Sequence, residues 1–238
     1  MTYQIHKSNT RGEANHGWLK AKHYFSFASY YNPERMGFGT LRVINDDLIE
    51  ASKGFDTHPH ENMEIITVPL TGALWHKDSM GNASKINAGE VQLMSAGTGV
   101  RHSEYNHSKD QATTLLQIWV HPKERDIEPR YDQQSFSKEA RENQIQYIVS
   151  PIGSDLSGVK INQDAYFARV DLTQGASTTY DIQQSTNGIY VLLISGCANV
   201  NGHVLESRDG LAIEGETKID ISSLESSEVL ILEVPMSS

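Results

Sequence analysis

His58-Pro59-His60 and His102-Ser103-Glu104 are the residues of this chain best suited to chemistry. Each pair has i,i+2 spacing. On a β-strand that spacing turns both side chains to one face, about 6–7 Å apart; on a helix they would diverge. Three imidazoles and one carboxylate converging from two strands make a borderline transition-metal site. A single His-x-His in a polar loop is usually solvated. Two pairs in one chain, the second led by Gly97-Thr98-Gly99, bring a bound ion level with that bland reading on pattern alone.

Pro59 has no N–H for a ladder bond, so the first pair belongs at a strand start or edge, near a barrel mouth. Continuing the alternation inward places Asn62, Glu64, Ile66 and Val68 on the same face, a polar mouth above an apolar floor. Glu64 reads as a fifth ligand, as an acceptor orienting a histidine N–H, or as a rim carboxylate; the orienting role is preferred. His76, His107 and His121 read as surface or turn residues. His16 and His23 fall among Trp18, Tyr24, Phe25, Phe27, Tyr30 and Tyr31, a segment read as a strand covering the barrel. Cys197 reads as a small buried apolar residue.

The elements that must carry these residues are short β-like runs punctuated by Gly, Asn and Asp: Gly39–Ile44, Glu64–Trp75, Val91–Met94, Thr113–Val120, Gln144–Ser150, Tyr166–Leu172, Tyr190–Ile194, Leu211–Ile213, Lys218–Ile221 and Glu228–Val234. Such a pattern predicts a sandwich or barrel. Asn201-Gly202 is a hairpin signal, and Ser137–Asn143 is a candidate short helix. His121–Phe136, polar and with two prolines, reads as the linker. The halves rhyme weakly, and the second lacks the histidine pair. The expected division is 1–132 with the metal site and 133–238 without one.

A net charge of −10 argues against non-specific binding to nucleic acid or anionic membranes. One cysteine excludes an intrachain disulfide and suits a reducing compartment. The N-terminal segment has no apolar core of a secretory signal, and nothing approaches a membrane span, so the cytoplasm is the expected location.

Longer stretches carry a resemblance. Gly54-Phe-Asp-Thr-His58-Pro-His60-Glu-Asn-Met-Glu64, ending at Gly72, resembles the first cupin motif. Gly89 to Glu104 resembles the second in the form found in pirins. His16-Gly-Trp-Leu, Phe25-Ser-Phe27-Ala-Ser-Tyr-Tyr31, Leu41-Arg-Val-Ile-Asn-Asp47 and His76-Lys-Asp-Ser-Met-Gly-Asn82 also resemble the pirin family. The likeness is dense up to about residue 120 and looser beyond.

It implies an all-β bicupin, two stacked jelly-roll β-barrels with few short helices. His58, His60, His102 and Glu104 would hold one divalent metal, Fe(II) foremost, with Mn, Co, Ni, Cu or Zn compatible, and Glu64 would be released from the ion. The implied activity is a quercetin 2,3-dioxygenase acting on a flavonol-like aromatic and O₂. Glu104 would be the catalytic base, and Ile66, Val68 and Met94 would wall the substrate pocket. The alternative is a metal-dependent regulatory module that binds a protein partner and acts on transcription or on metabolic enzymes. A third reading is a cupin for another small substrate.

Overall fold

The computed structural model describes residues 1–237. Alternating burial, rather than a helical period, runs along the chain, and strands follow from it. Among the described residues there is no α-helix, only 3-10 turns at Ser8–Thr10 and Glu139–Arg141. In chain order the first strands are β1 (Thr2–His6), β2 (Gly12–Asn15), β3 (Leu19–His23), β4 (Leu41–Ile49), β5 (Gly54–His60), β6 (Glu64–Thr71), β7 (Ala73–Asp78), β8 (Ala83–Asn87), β9 (Glu90–Ser95), β10 (Val100–Tyr105), β11 (Thr113–Val120) and β12 (Arg130–Ser135). The rest are β13 (Gln146–Pro151), β14 (Val159–Ile161), β15 (Tyr166–Leu172), β16 (Ser177–Asp181), β17 (Asn187–Val200), β18 (His203–Glu206), β19 (Gly210–Glu214) and β20 (Lys218–Pro235).

Two barrels result. The first closes a sheet ordered β12-β9-β6-β11-β4-β3-β2 over a smaller sheet ordered β5-β10-β7-β8. The second is one sheet ordered β1-β19-β17-β20-β15-β13-β14, with β16 on β20 and β18 on β17. Its long strands β17 and β20 bend enough to serve both walls. The β17–β20 register shifts around Ser195 and Cys197. Gly196, with φ of +90°, sits in the bend, where a Cβ would come 2.2 Å from the Ser226 carbonyl oxygen. The separate runs expected over 218–221 and 228–234 are therefore one strand. Asn201 and Gly202 both have positive φ and turn β17 into β18, as their sequence predicts.

The barrels share one core. Ile44, Ile66, Val68 and Leu116 of the first pack in the same buried cluster as Phe167, Tyr190 and Leu232 of the second. Inside the second barrel the filling is mostly aliphatic, with Val170, Leu172, Val191, Leu193, Leu211 and Ile231 buried together around Tyr180.

Two features cross the expected division. β12 pairs with β9 from Arg130↔Ser95 to Ser135↔Glu90, so the first barrel runs past residue 132. The ladder overrides the polar composition that made this stretch look like a linker. In the other direction, β1 leaves the first half and pairs with β19, from Thr2↔Glu214 to His6↔Gly210. The helix expected over Ser137–Asn143 is a single 3-10 turn over Glu139–Arg141, ended by Glu142 in extended backbone. No helix of the described residues is long and apolar enough to cross a membrane.

The shared core predicts one cooperative unfolding transition. All three tryptophans, Trp18, Trp75 and Trp119, lie in the first barrel, so their fluorescence reports that barrel alone while far-ultraviolet circular dichroism reports both. The two midpoints in urea should coincide. Phe167→Ala, in the second barrel, should lower the stability read from tryptophan by about 3–5 kcal/mol; separate midpoints would show two independent units.

Candidate metal centre

β5 and β10 run antiparallel, and His102 stands directly opposite His58. Side chains on directly opposed positions are close enough to share a ligand. The ring centroids of His58 and His102 are 4.5 Å apart, those of His58 and His60 4.8 Å, and those of His60 and His102 4.9 Å. β5 is an edge strand, so Pro59 forfeits no ladder bond. Between His102 and Glu104 the register slips, and Glu104 pairs with Phe55. This irregularity re-aims the carboxylate. Gly54 is what permits it: a Cβ there would lie 2.1 Å from the Glu104 carbonyl oxygen.

The donor atoms of His58, His60 and His102 all lie within 4.8 Å of one another, and so do those of His76, His102 and Glu104. His102 Nε2 and Glu104 Oε1 are buried with no hydrogen-bond partner. Leaving such groups unsatisfied costs about 1–3 kcal/mol each, and a divalent cation would satisfy both. His58 Nδ1 donates to the Asp56 carbonyl at 2.8 Å, which leaves its Nε2 lone pair free. Glu104 Oε2 accepts from Gln117 Nε2 at 2.9 Å, and Gln117 Oε1 accepts from Trp119 Nε1 at 3.2 Å. The residues present fit a divalent metal held by histidine and glutamate.

Electrostatics agree. Burial, aided by the neighbouring histidines, lowers the His102 pKa to about 2, and burial with His58 lowers that of His60 to about 4. Both are therefore neutral at ordinary pH, the form a metal needs. Burial raises Glu104 to about 7, against the lowering effect of its Gln117 bond. Asp47 rises to about 8 through burial, then Asp46 and Glu104.

His76 is not a surface residue. Leu74, His76 and Asp78 alternate inward along β7, and His76 is buried. Its Nδ1 lies 3.4 Å from His102 Nδ1 and its Nε2 2.9 Å from Asp78 Oδ2. Asp78 in turn accepts from the Met80 and Asn82 backbone N–H groups and from Asn82 Nδ2. With His76 donating to Asp78, its other nitrogen accepts the His102 Nδ1–H and leaves His102 Nε2 as the ligand.

A cavity of about 290 Å³ opens beside the ligands, walled by Phe27, Phe55, Trp119, His23 and Asp47 together with His58, His60 and Glu104. Ile66 and Val68 do not wall it; they point into the core between the barrels, and Met94 packs with Ile65, Ala96 and Val100. Glu64 accepts from Ser95 Oγ at 2.8 Å and from the Asn162 N–H at 3.1 Å, so it ties the barrels together and orients no histidine. The alternation fails because β5 ends at His60. Asn62, at φ of +48°, turns the chain into the other sheet and resets which face is inward. His16 and His23, read only as part of a covering strand, also line the cavity, and His23 Nδ1 bonds Asn45 Oδ1 at 2.8 Å. Cys197 is half-buried and free.

Residues 4–120 match the Pirin family model, and residues 147–234 match that of the quercetinase C-terminal cupin domain. A quercetin 2,3-dioxygenase of Escherichia coli K12 is 46% identical over 231 residues, covering 97% of this chain and 98% of that protein. A pirin-like protein of Caulobacter vibrioides is 42% identical over 222 residues, covering 93% and 95%. Among solved structures, the E. coli bacterial pirin YhhW in complex with nickel(II) superposes with a TM-score of 0.92 at 44% identity, covering 98% and 99% of the two chains.

His58→Ala and His102→Ala should abolish metal retention measured by elemental analysis. His76→Phe should weaken affinity about 10–100-fold, whereas Glu64→Gln should leave it unchanged, as titration calorimetry would read. Metal uptake should also release protons. At pH 6 His60 and His102 are already neutral while Glu104 is largely protonated, so the Glu104 proton should be among those released. Affinity should rise as pH rises through 7 and flatten above it; calorimetry in buffers of different ionisation enthalpy checks both.

Proposed function

The chain belongs to the pirin family of bicupins, and from that premise we propose that it is an iron(II)-dependent dioxygenase that opens the heterocycle of a flavonol. In this reaction quercetin and O₂ give a depside and CO: both oxygen atoms enter the ring-opened ester and one ring carbon leaves. The observation that carries the reading is a histidine–carboxylate cluster set against a cavity walled by Phe27, Phe55 and Trp119. At about 290 Å³ the cavity lies at the small end of ligand sites and suits a compact, flat, largely apolar molecule. The E. coli relative named quercetin 2,3-dioxygenase supports the substrate class.

A metal bound by His58, His60, His102 and Glu104 would supply Lewis acidity toward the flavonol 3-hydroxyl and a route for electrons to O₂. The chain's own residues do the rest. Phe27, Phe55 and Trp119 hold the aromatic plane and exclude water. Glu104 takes the 3-hydroxyl proton on its carboxylate, which Gln117 anchors through Oε2. Trp119, bonded to Gln117, fixes that amide and so the direction of the carboxylate. His76 and Asp78 keep the His102 ring from rotating.

The test is oxygen uptake by protein loaded anaerobically with Fe(II) and then given quercetin and air, with CO detected. Uptake and CO release should both vanish in His58→Ala. Glu104→Gln should keep part of its metal and lose turnover by about 10²–10⁴-fold; full activity would remove Glu104 from proton transfer. No uptake by wild-type protein with iron confirmed bound would reject the dioxygenase reading.

A further inference from the structure

Asp47 walls the cavity with a carboxyl that the ligand cluster leaves unused. Asn45, Asp47 and Ile49 point into the first barrel from β4, with Asp47 opposite Leu115 on β11. Asp47 is buried, with a relative exposure of 5%, and it lines the cavity. Oδ1 is buried and has no hydrogen-bond partner. Two donors lining the same cavity are engaged elsewhere: Gln117 Nε2 donates to Glu104, and Trp119 Nε1 donates to Gln117. Among the described residues, no Lys or Arg lines this cavity. A carboxyl kept in such a place without a protein partner is costly, and its natural partner is whatever fills the cavity.

We infer that Asp47 determines substrate specificity by hydrogen-bonding a ligand hydroxyl other than the one directed at the metal. The ligand is thereby held at two points: one oxygen at the histidine cluster and one hydroxyl at β4, with the aromatic body between Phe27, Phe55 and Trp119. This selects polyhydroxylated planar aromatics over singly hydroxylated ones. The inference rests on the flavonol reading above and adds to it a requirement for a second hydroxyl.

The experiment measures equilibrium binding of quercetin, and of flavonols lacking or methylated at one hydroxyl at a time, to nickel-loaded protein under nitrogen, where no turnover occurs. Wild type should bind one of the analogues altered away from the 3-position roughly ten- to a hundredfold more weakly than quercetin. Asp47→Leu should bind both with the same, weakened affinity. Asp47→Asn, which keeps an acceptor, should recover part of the difference. Metal content should stay at the wild-type level in both variants. Without ligand, Asp47→Leu should melt at a higher temperature than wild type, because an unpartnered carboxyl is replaced by apolar volume; a lower melting temperature in both variants would make Asp47 structural and overturn the proposal. Undiminished discrimination in Asp47→Leu would overturn it while leaving the flavonol reading intact. Failure of wild type to bind any flavonol would reject that reading and this one with it.

Discussion

The opposition of His58 and His102 across β5 and β10 is the constraint on which the site depends. Two i,i+2 pairs on separate strands hold four donors, but only one register brings them together. A slip of one residue would turn either pair to the other face. That register is held from both sides. Pro59 occupies an edge where its missing N–H costs nothing, and Gly54 lets β5 lie against the Glu104 backbone. β7 supports β10 from its other edge, placing Asp78 opposite His102 and His76 opposite Glu104. The same pairing that aligns the candidate ligands therefore also supplies His76 and Asp78 beside His102.

The interior of the first barrel is costly to bury. Besides the ligands it encloses Thr67 and Gln92, whose polar side-chain atoms have no hydrogen-bond partners. The second barrel's central cluster is mostly aliphatic, with unpartnered polar atoms at Arg169 and Asp171 on β15. The core between the barrels joins Ile66, Val68 and Leu116 to Phe167 and Leu232, so the apolar half stabilises the half that carries the histidine cluster. Buried Glu64 serves the same junction through the Asn162 N–H.

The candidate cluster is legible because period two on a strand is a short-range rule and His58, His60, His102 and Glu104 obey it within single strands. Predicting Ile66 and Val68 as cavity walls carried the rule across Asn62, where a left-handed residue starts a new strand in another sheet. Glu64 was misplaced for the same reason. His76 did carry a readable signal, since Leu74, His76 and Asp78 alternate, but its polar flank and turn-like successor outweighed it. Nothing local marks Asp47, whose significance comes from Gln117 and Trp119 on another strand. β12 was hidden by its composition, and its ladder with β9 is a pairing that no local pattern announces.

The placement of β1 has a consequence for the order of assembly. This strand completes the second barrel's sheet beside β19, and the following Lys7 reaches Asp209, 202 positions along the chain. During synthesis β1 is therefore made long before any partner exists for it. The first barrel can collect its own strands early, but the segment leading into it waits with exposed ladder groups until β19 emerges and pairs. Docking of β1 closes a loop spanning most of the chain, which makes it a late, high-contact-order step. The two barrels are consecutive in sequence, yet their completion is not: the strand made first becomes one of the last to find its place.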